Sequence, residues 1–204
     1  MIKAEERTNE DEQGAKKALL LAGIELFSQK GYASTSVREI VALAGVTKPV
    51  LYYYFKSKEG LFRAILGGAT QKQEEMLRET MQQAGTVLER IVFLYRRIYE
   101  ELAKNRLLFR MIHNLIFGPP QGAPQYNIEA YHGRMLETVK TIYEQGLHRG
   151  ELKAADPADV AMMVVGVTDY CFHLDYLHPE RMDLQRSERL LGLAFQGLTG
   201  KNHG

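Results

Sequence analysis

Apolar residues recur along this chain at intervals of three and four, the spacing of one face of an α-helix, and no stretch alternates as a half-buried strand would. Leu19, Ala22, Gly23, Leu26 and Phe27 predict a helix over 15–30, ended by Gly31. Ser36 and Glu39, at capping-box spacing, open a shorter helix with Ile40, Leu43 and Ala44 as its apolar face, and Gly45 closes it. Val46 plugs the turn. Thr47 as N-cap and Pro49 in the first turn then start a second short helix, whose buried side is Leu51 and Phe55. Leu61, Phe62, Ile65 and Leu66 mark a helix over 58–84. Its later half, QKQEEMLRETMQQ, is polar, as in a helix that runs from one core to another.

The pattern stays helical to the end. Val87, Leu88, Ile91, Val92, Leu94, Tyr95, Ile98, Tyr99 and Leu102 give one broad buried face, and Arg106 to Phe117 a shorter apolar helix. Gly118-Pro119-Pro120 stops it, and a loop continues through Gly122 and Pro124. Tyr126 to Arg149 follows, ended by Gly150. Asp156-Pro157, an N-cap followed by proline at the first helical position, starts a helix that runs to His178, before Pro179. Asp183 caps the last helix, with Leu190, Leu191, Ala194, Phe195 and Leu198 as its stripe. The expectation is an all-α chain of about nine helices with short connections.

Two short helices around a glycine turn, with Lys48, Val50, Tyr52 and Tyr54 left off the buried side of the second, have the form of a helix-turn-helix whose second helix enters the DNA major groove. Charge supports that reading. The chain is nearly neutral, yet residues 14–67 carry eight Lys/Arg against three Glu, while 1–13 carry two basic and five acidic residues. Basic charge thus concentrates around the helix-turn-helix, where phosphates would need it. Residues 1–13, highly charged and aperiodic, are expected to form a mobile tail. The lone Cys171 permits no internal disulfide, no run of about 18 apolar residues suits a membrane span, and the first residues lack the apolar core of a signal peptide. The expected location is the cytoplasm.

From Leu19 to Leu66 the chain resembles the DNA-binding domain of the tetracycline-repressor (TetR) family of bacterial regulators. LF-x-x-x-GY, T-S-V-x-x-I, AGV-[ST]-K, LY-x-YF and SKE-x-LF occur in order and in register; Val41 and Gly23 stand where alanine is common. The resemblance implies a three-helix DNA-binding domain over 14–57 and a larger ligand-binding and dimerisation domain over 58–204. It implies a palindromic double-stranded operator, a homodimer and a small-molecule effector. Lys48 could reach a guanine edge or a phosphate, and Val50 a thymine methyl. Tyr52 and Tyr54 take the family's phosphate-contacting positions, while Tyr53 is expected inside. Thr35, Ser36, Arg38, Thr47 and Pro49 join them as candidates for backbone contact. Lys58 matches the family's phosphate-binding lysine at a helix N-terminus.

The C-terminal half matches that family only in character. Its aromatic and polar residues suit an apolar or aromatic effector: Tyr95, Tyr99, Phe109, Phe117, Tyr126, Tyr131, Tyr143 and Tyr170, with His113, Asp169 and His173 to orient it. The last two helices, through Val160, Val164, Val167, Cys171, Leu191, Ala194, Phe195 and Leu198, are expected to form the dimer interface. No metal-ligand spacing, phosphate loop or nucleophile motif is present, so neither a cofactor nor an enzyme is expected. An architectural or activating DNA-binding protein without effector-controlled release is the alternative.

Overall fold

The computed structural model of the chain describes residues 2–118, 122–178 and 182–198, with side chains described for all of these except 2–12 and 128. The described residues form nine helices and no strand: α1 (Ile2–Lys30), α2 (Val37–Leu43), α3 (Lys48–Phe55), α4 (Lys58–Gln82), α5 (Val87–Lys104), α6 (Arg106–Phe117), α7 (Ile128–His148), α8 (Pro157–Leu177) and α9 (Leu184–Gln196). The all-α expectation holds. Pro119, Pro120 and Pro179, expected as breakers, lie outside the described residues.

Residues 2–13, expected as a tail, instead continue α1. They contain no proline and are rich in Glu, Lys, Arg and Gln, which lose little in a helix, and extending a formed helix avoids the cost of nucleation.

The chain divides into two compact units, Met1–Gln71 with Asn105–Tyr126, and Lys72–Lys104 with Asn127–Gly204. The division therefore falls inside α4 rather than at the expected 57/58 boundary, and α6 joins the N-terminal helices. Packing explains this. The first unit's core is Leu19, Ala22, Phe27, Ile40, Val41, Leu51, Phe55, Leu61, Phe62, Ile65, Leu66 and, from α6, Met111; Leu108, Ile112 and Leu115 pack against it. Tyr126 adds a polar tie, donating its hydroxyl to the Leu66 carbonyl at 3.1 Å and pairing with the Thr70 hydroxyl.

In the second unit α7 packs along α8, and α5 against α7 and α9. Its core includes Ile91, Leu94, Tyr95, Val139, Ile142, Tyr143, Val164, Phe172, Leu191 and Phe195. Buried Tyr143 uses its hydroxyl twice, donating to the Lys153 carbonyl at 2.7 Å and accepting from the Ala155 N–H at 3.0 Å, which fixes the link before α8. Asp156 and Asp183 cap α8 and α9 as expected, accepting from Asp159 and Ala158 N–H and from Arg186 N–H.

One glycine decides how α3 meets α4. Lys56 ends α3 in the left-handed region (φ 64°), and Ser57 accepts from the Gly60 N–H at 2.9 Å to cap α4. A Cβ on Gly60 would collide with the backbone carbonyl of Phe55, which no side-chain rotation can move; a Cβ on Gly67, two turns on, meets open space. Gly60→Ala should therefore destabilise the protein by about 1–3 kcal/mol, and Gly67→Ala should stabilise it by about 0.5–1 kcal/mol, as read from paired thermal or denaturant melts.

Candidate nucleic-acid interface

The helix-turn-helix is built from local chemistry. Ser36 (φ −102°, ψ 153°) caps α2: its hydroxyl accepts from Glu39 N–H at 3.3 Å, and the Glu39 carboxylate accepts from Ser36 N–H at 2.9 Å. The other end closes with two crossed backbone bonds, Val46 N–H to the Val41 carbonyl at 3.0 Å and Gly45 N–H to Ala42 at 3.3 Å, with Gly45 at φ 67°. This is the Schellman arrangement that glycine permits. Thr47 (φ −97°, ψ 160°) stands at the N-cap of α3, but its hydroxyl makes no capping bond. Cap position and capping bond thus separate, which leaves the Thr47 hydroxyl at an exposed helix start.

On α3, Leu51 is fully buried and Phe55 nearly so. Thr47, Lys48, Pro49 and Tyr52 are exposed, as expected of a reading face, and so are Ser36 and Arg38. Neither Arg38 nor Lys48 makes an ion pair among the described residues.

Burial departs from the expected pattern at several positions here. Tyr53, expected inside, is 65% exposed, whereas Tyr54 is half-buried against the core. Helix geometry explains the exchange. Tyr53 lies about 200° around the helix from both Leu51 and Phe55, while Tyr54 sits one residue from Phe55 at the edge of the buried face. Val50, four residues before Tyr54, occupies the same edge and also packs on the core. On α2, Ile40 is buried and Ala44 packs on the core as expected, but Leu43 is 48% exposed and Val41 is buried in its stead. Thr35 is buried, and its hydroxyl donates to the Gly31 carbonyl at 2.8 Å. The Lys58 ammonium donates to the Tyr32 and Thr35 carbonyls at 2.9 and 2.8 Å and lies 4.0 Å from the centre of the Tyr32 ring. Burial holds its pKa below the usual lysine value. The exposed residue that sequence reasoning missed is Tyr53; the periodicity around Leu51 and Phe55 could have found it.

The expected effector residues divide between the two units. Phe109, His113, Phe117 and Tyr126 belong to the first unit, the other seven to the second. Along α6 the rings of Phe109, His113 and Phe117 follow one another at 5.9 and 5.0 Å, with Phe117 61% exposed. In the second unit Tyr95 stacks on Phe172 at 4.9 Å, and its buried hydroxyl makes no hydrogen bond; burial pushes its pKa well above the usual phenol value. Tyr99 donates to Asp175 at 3.0 Å, and the Tyr131 carbonyl accepts from Gln73. Asp169 stands 3.6 Å from His132, its carboxyl held above the usual range by burial against the opposing pull of His132. Tyr170, 61% exposed, stacks with His173. A cavity of about 10 Å³ is enclosed by α5, α7 and α8; of the expected residues only Tyr95 lines it, beside Ile91, Leu94, Met135, Val139 and Val164. That is room for about one water.

The expected dimer residues fare differently. Val160, Val164, Cys171, Leu191 and Phe195 are buried within the second unit, and Val167, Ala194 and Leu198 are half-buried. The large apolar side chains that α8 and α9 leave exposed are Met162 (66%), Tyr170 (61%), Leu177 (50%) and Leu193 (58%). Because α8 is apolar on all sides, periodicity alone did not separate its inner face from its outer one.

Residues 19–65 match the family described as bacterial regulatory proteins, tetR family. The transcriptional repressor BepR of Brucella suis is 23% identical over 180 residues, covering 86% of this chain and 86% of that protein. The transcriptional regulator RutR of Escherichia coli is 51% identical over 51 residues, covering 25% of this chain and 24% of its own. Among solved structures, a SmeT–triclosan complex superposes with a TM-score of 0.73 at 21% identity, covering 92% of this chain and 93% of that one.

One ion pair makes the site sensitive to acid. Lys30 first, then the Ser36 hydroxyl and N–H, hold the Glu39 carboxyl down from its ordinary 4.5 to about 2. A carboxyl depressed in the folded state stabilises it above the unfolded pKa and loses that contribution as pH falls through the folded one. The melting temperature of the wild type should therefore exceed that of Glu39→Gln at pH 6, and the gap should close as pH falls from about 4.5 towards 2. A gap that stays constant over that range would contradict the ion-pair assignment.

Proposed function

This chain belongs to the tetR family of bacterial regulatory proteins and is a DNA-binding transcriptional regulator, and we propose that it acts as a homodimeric repressor released from a palindromic operator by a small apolar or aromatic effector. The observation that carries the DNA-reading half is the outer face of α3: Thr47, Lys48, Tyr52 and Tyr53 stand exposed on a helix whose opposite side is buried. Lys48 supplies charge and donors at the start of that helix. Tyr52 and Tyr53 supply hydroxyls that can donate to phosphates. Arg38 on α2 adds a second cation. Val50 and Tyr54, at the edge of the buried face, are better placed to support the helix than to read bases.

The repressor and effector parts rest on the relatives. BepR is described as a repressor, and the SmeT structure holds triclosan, an aromatic molecule. We assign the guest to the apolar cavity among α5, α7 and α8. At about 10 Å³ it must open to admit a guest of ordinary ligand size, which needs about 300 Å³ or more. Opening would move α5, α7 and α8, which line it, and α5 is bonded to the last turn of α4 through Arg90 and the Met81 carbonyl; α4 continues into the DNA-reading unit. A coupling of about 1–3 kcal/mol is typical of such linkage and would change operator affinity from severalfold to about a hundredfold. The cytoplasm, where DNA lies, is the expected location; no helix among the described residues is long and apolar enough to cross a membrane.

For the dimer, the exposed stripe of Met162, Tyr170, Leu177 and Leu193 replaces the buried set expected earlier. A dimer suits the proposed palindromic operator, because paired half-sites lie about 34–36 Å apart on one face of the duplex.

In vitro selection of DNA sites should enrich a two-fold sequence, and Lys48→Ala should weaken its binding by about 1–3 kcal/mol while leaving the dimer intact. An enriched pool without two-fold symmetry would overturn the operator reading. Triclosan serves as the first effector probe: release of the selected duplex supports the effector half, and failure across a panel of apolar aromatic compounds removes that half alone. Separately, Met162→Glu and Leu193→Glu should shift the protein towards monomer in sedimentation or light scattering with little change in melting temperature. Val164→Ala should do the opposite.

A further inference from the structure

We propose that the adjacent glycines Gly67 and Gly68 form a hinge in α4, latched by the Tyr126 hydroxyl, and that the effector response proposed above works by releasing that latch. The hinge itself stands on α4 and Tyr126; its use rests on the effector reading.

Gly67-Gly68 is the one adjacent glycine pair in the chain, and it stands inside a 25-residue helix. Glycine is among the weakest helix formers, because its backbone has the most freedom to lose. The fold demands it at neither position. A Cβ on Gly67 or on Gly68 would meet open space, and neither residue has a positive φ. What the pair supplies is backbone freedom, at the place where α4 is held least. Leu61, Phe62, Ile65 and Leu66 are buried in the first unit, and Gln73, Met76, Leu77 and Thr80 are buried beyond the division at Gln71/Lys72. No residue between Leu66 and Gln73 is buried.

Tyr126 holds this stretch. Its hydroxyl donates to the Leu66 carbonyl at 3.1 Å and, with that proton committed, accepts from the Thr70 hydroxyl. Leu66 and Thr70 are four residues apart, the two ends of one rung of the helix ladder, and Gly67 and Gly68 lie under that rung. Pairs of small residues, and side chains that enter the ladder, are among the places where helices bend. The Tyr126 ring packs on the core of the first unit, so the latch is anchored on the DNA-reading side. Its backbone leads directly into Asn127, whose side chain caps α7 by accepting from the Ala130 N–H at 2.8 Å. Met135 and Val139, further along α7, line the small cavity. A guest that pushes α7 aside draws on Asn127 and then on Tyr126. The rung loses its brace, and α4 is free to bend at the glycines, which absorb the change in φ and ψ.

Two changes act on the two parts. Tyr126→Phe keeps the ring and removes the latch. Gly67→Ala combined with Gly68→Ala keeps the helix and removes the hinge. Both are made in the full chain, and the operator is the duplex obtained by selection. The first readout is amide hydrogen exchange at residues 70–72, whose N–H groups bond back to residues 66–68, without DNA or effector. Tyr126→Phe should speed it by about threefold to tenfold, the size of one lost hydrogen bond, and leave residues 61–65 unchanged. In the background of both glycine substitutions, Tyr126→Phe should leave exchange at 70–72 nearly unchanged. An equal acceleration in both backgrounds, or none in either, overturns the hinge. The second readout is operator affinity with and without triclosan, or whichever compound of the apolar aromatic panel releases the wild type. The double glycine variant should bind the operator as the wild type does and still bind the compound. It should lose most of the severalfold to about hundredfold weakening that the compound causes. Release as complete as in the wild type refutes the use of the hinge. If no compound releases even the wild type, the effector reading fails, and the exchange data still decide the hinge.

Discussion

The DNA-reading surface depends on the burial of two side chains, Leu51 and Phe55. An eight-residue helix such as α3 has too few hydrogen bonds to persist alone, since isolated helices shorter than about 12–15 residues are marginal in water. It is helical here because Leu51 and Phe55 leave water for the core shared with α1, α2, α4 and Met111 of α6, at about 1.5–3 kcal/mol each. The ends of the helix are then set by backbone geometry. The turn through Gly45 delivers the chain to Thr47, and the left-handed Lys56 turns it away into α4. Every group offered to DNA inherits its position from these constraints, which is why the exposed face can consist of residues that contribute little to stability.

Much of this was legible in the sequence because its signals are local. Caps are chemistry between residues two or three apart, so Ser36 with Glu39, Asp156, Asp183 and the closing Gly45 all act as their spacing predicts. Except at the start of α1, stripes of apolar residues placed the helices to within a turn. What failed to show was which side of a helix faces in when several sides are apolar. Tyr52, Tyr53 and Tyr54 are one residue type in a row, and only the phase set by Leu51 and Phe55 tells them apart. On α8, Val160 and Val164 point inward while Met162 and Tyr170 point out, yet all four satisfy an apolar pattern. Partners distant in sequence were hidden altogether. Nothing near Lys58 announces that Tyr32 and Thr35 will present carbonyls to it. The grouping of α6 with the N-terminal helices has the same origin, since Met111 and Tyr126 join a core formed mainly before residue 67.

The two units differ in how well their interiors are satisfied. In the DNA-reading unit most polar groups that folding removes from water find partners close by, Thr35 with Gly31, Ser28 with Glu25 and Lys58 with two carbonyls, and Arg110 Nε is the exception among the described residues. The second unit leaves more undone. The Tyr95 hydroxyl, the Gln73 side-chain oxygen and the Arg90 Nε are buried without a hydrogen-bond partner in the protein, although Arg90 places its other nitrogens on Gln145 at 2.6 Å and on the Met81 carbonyl at 3.3 Å. Each such orphan costs about 1–3 kcal/mol unless water or a guest completes it. Tyr95 lines the small cavity, Gln73 lies on α4, and Arg90 reaches from α5 to the last turn of α4. A unit that is tightly packed but incompletely hydrogen-bonded gains from anything that supplies the missing partners. The orphaned groups therefore concentrate in the unit that carries the cavity, where Tyr95, Gln73, Arg90 and Arg134 each leave one, while the unit that contains α3 leaves only Arg110 Nε among its described residues.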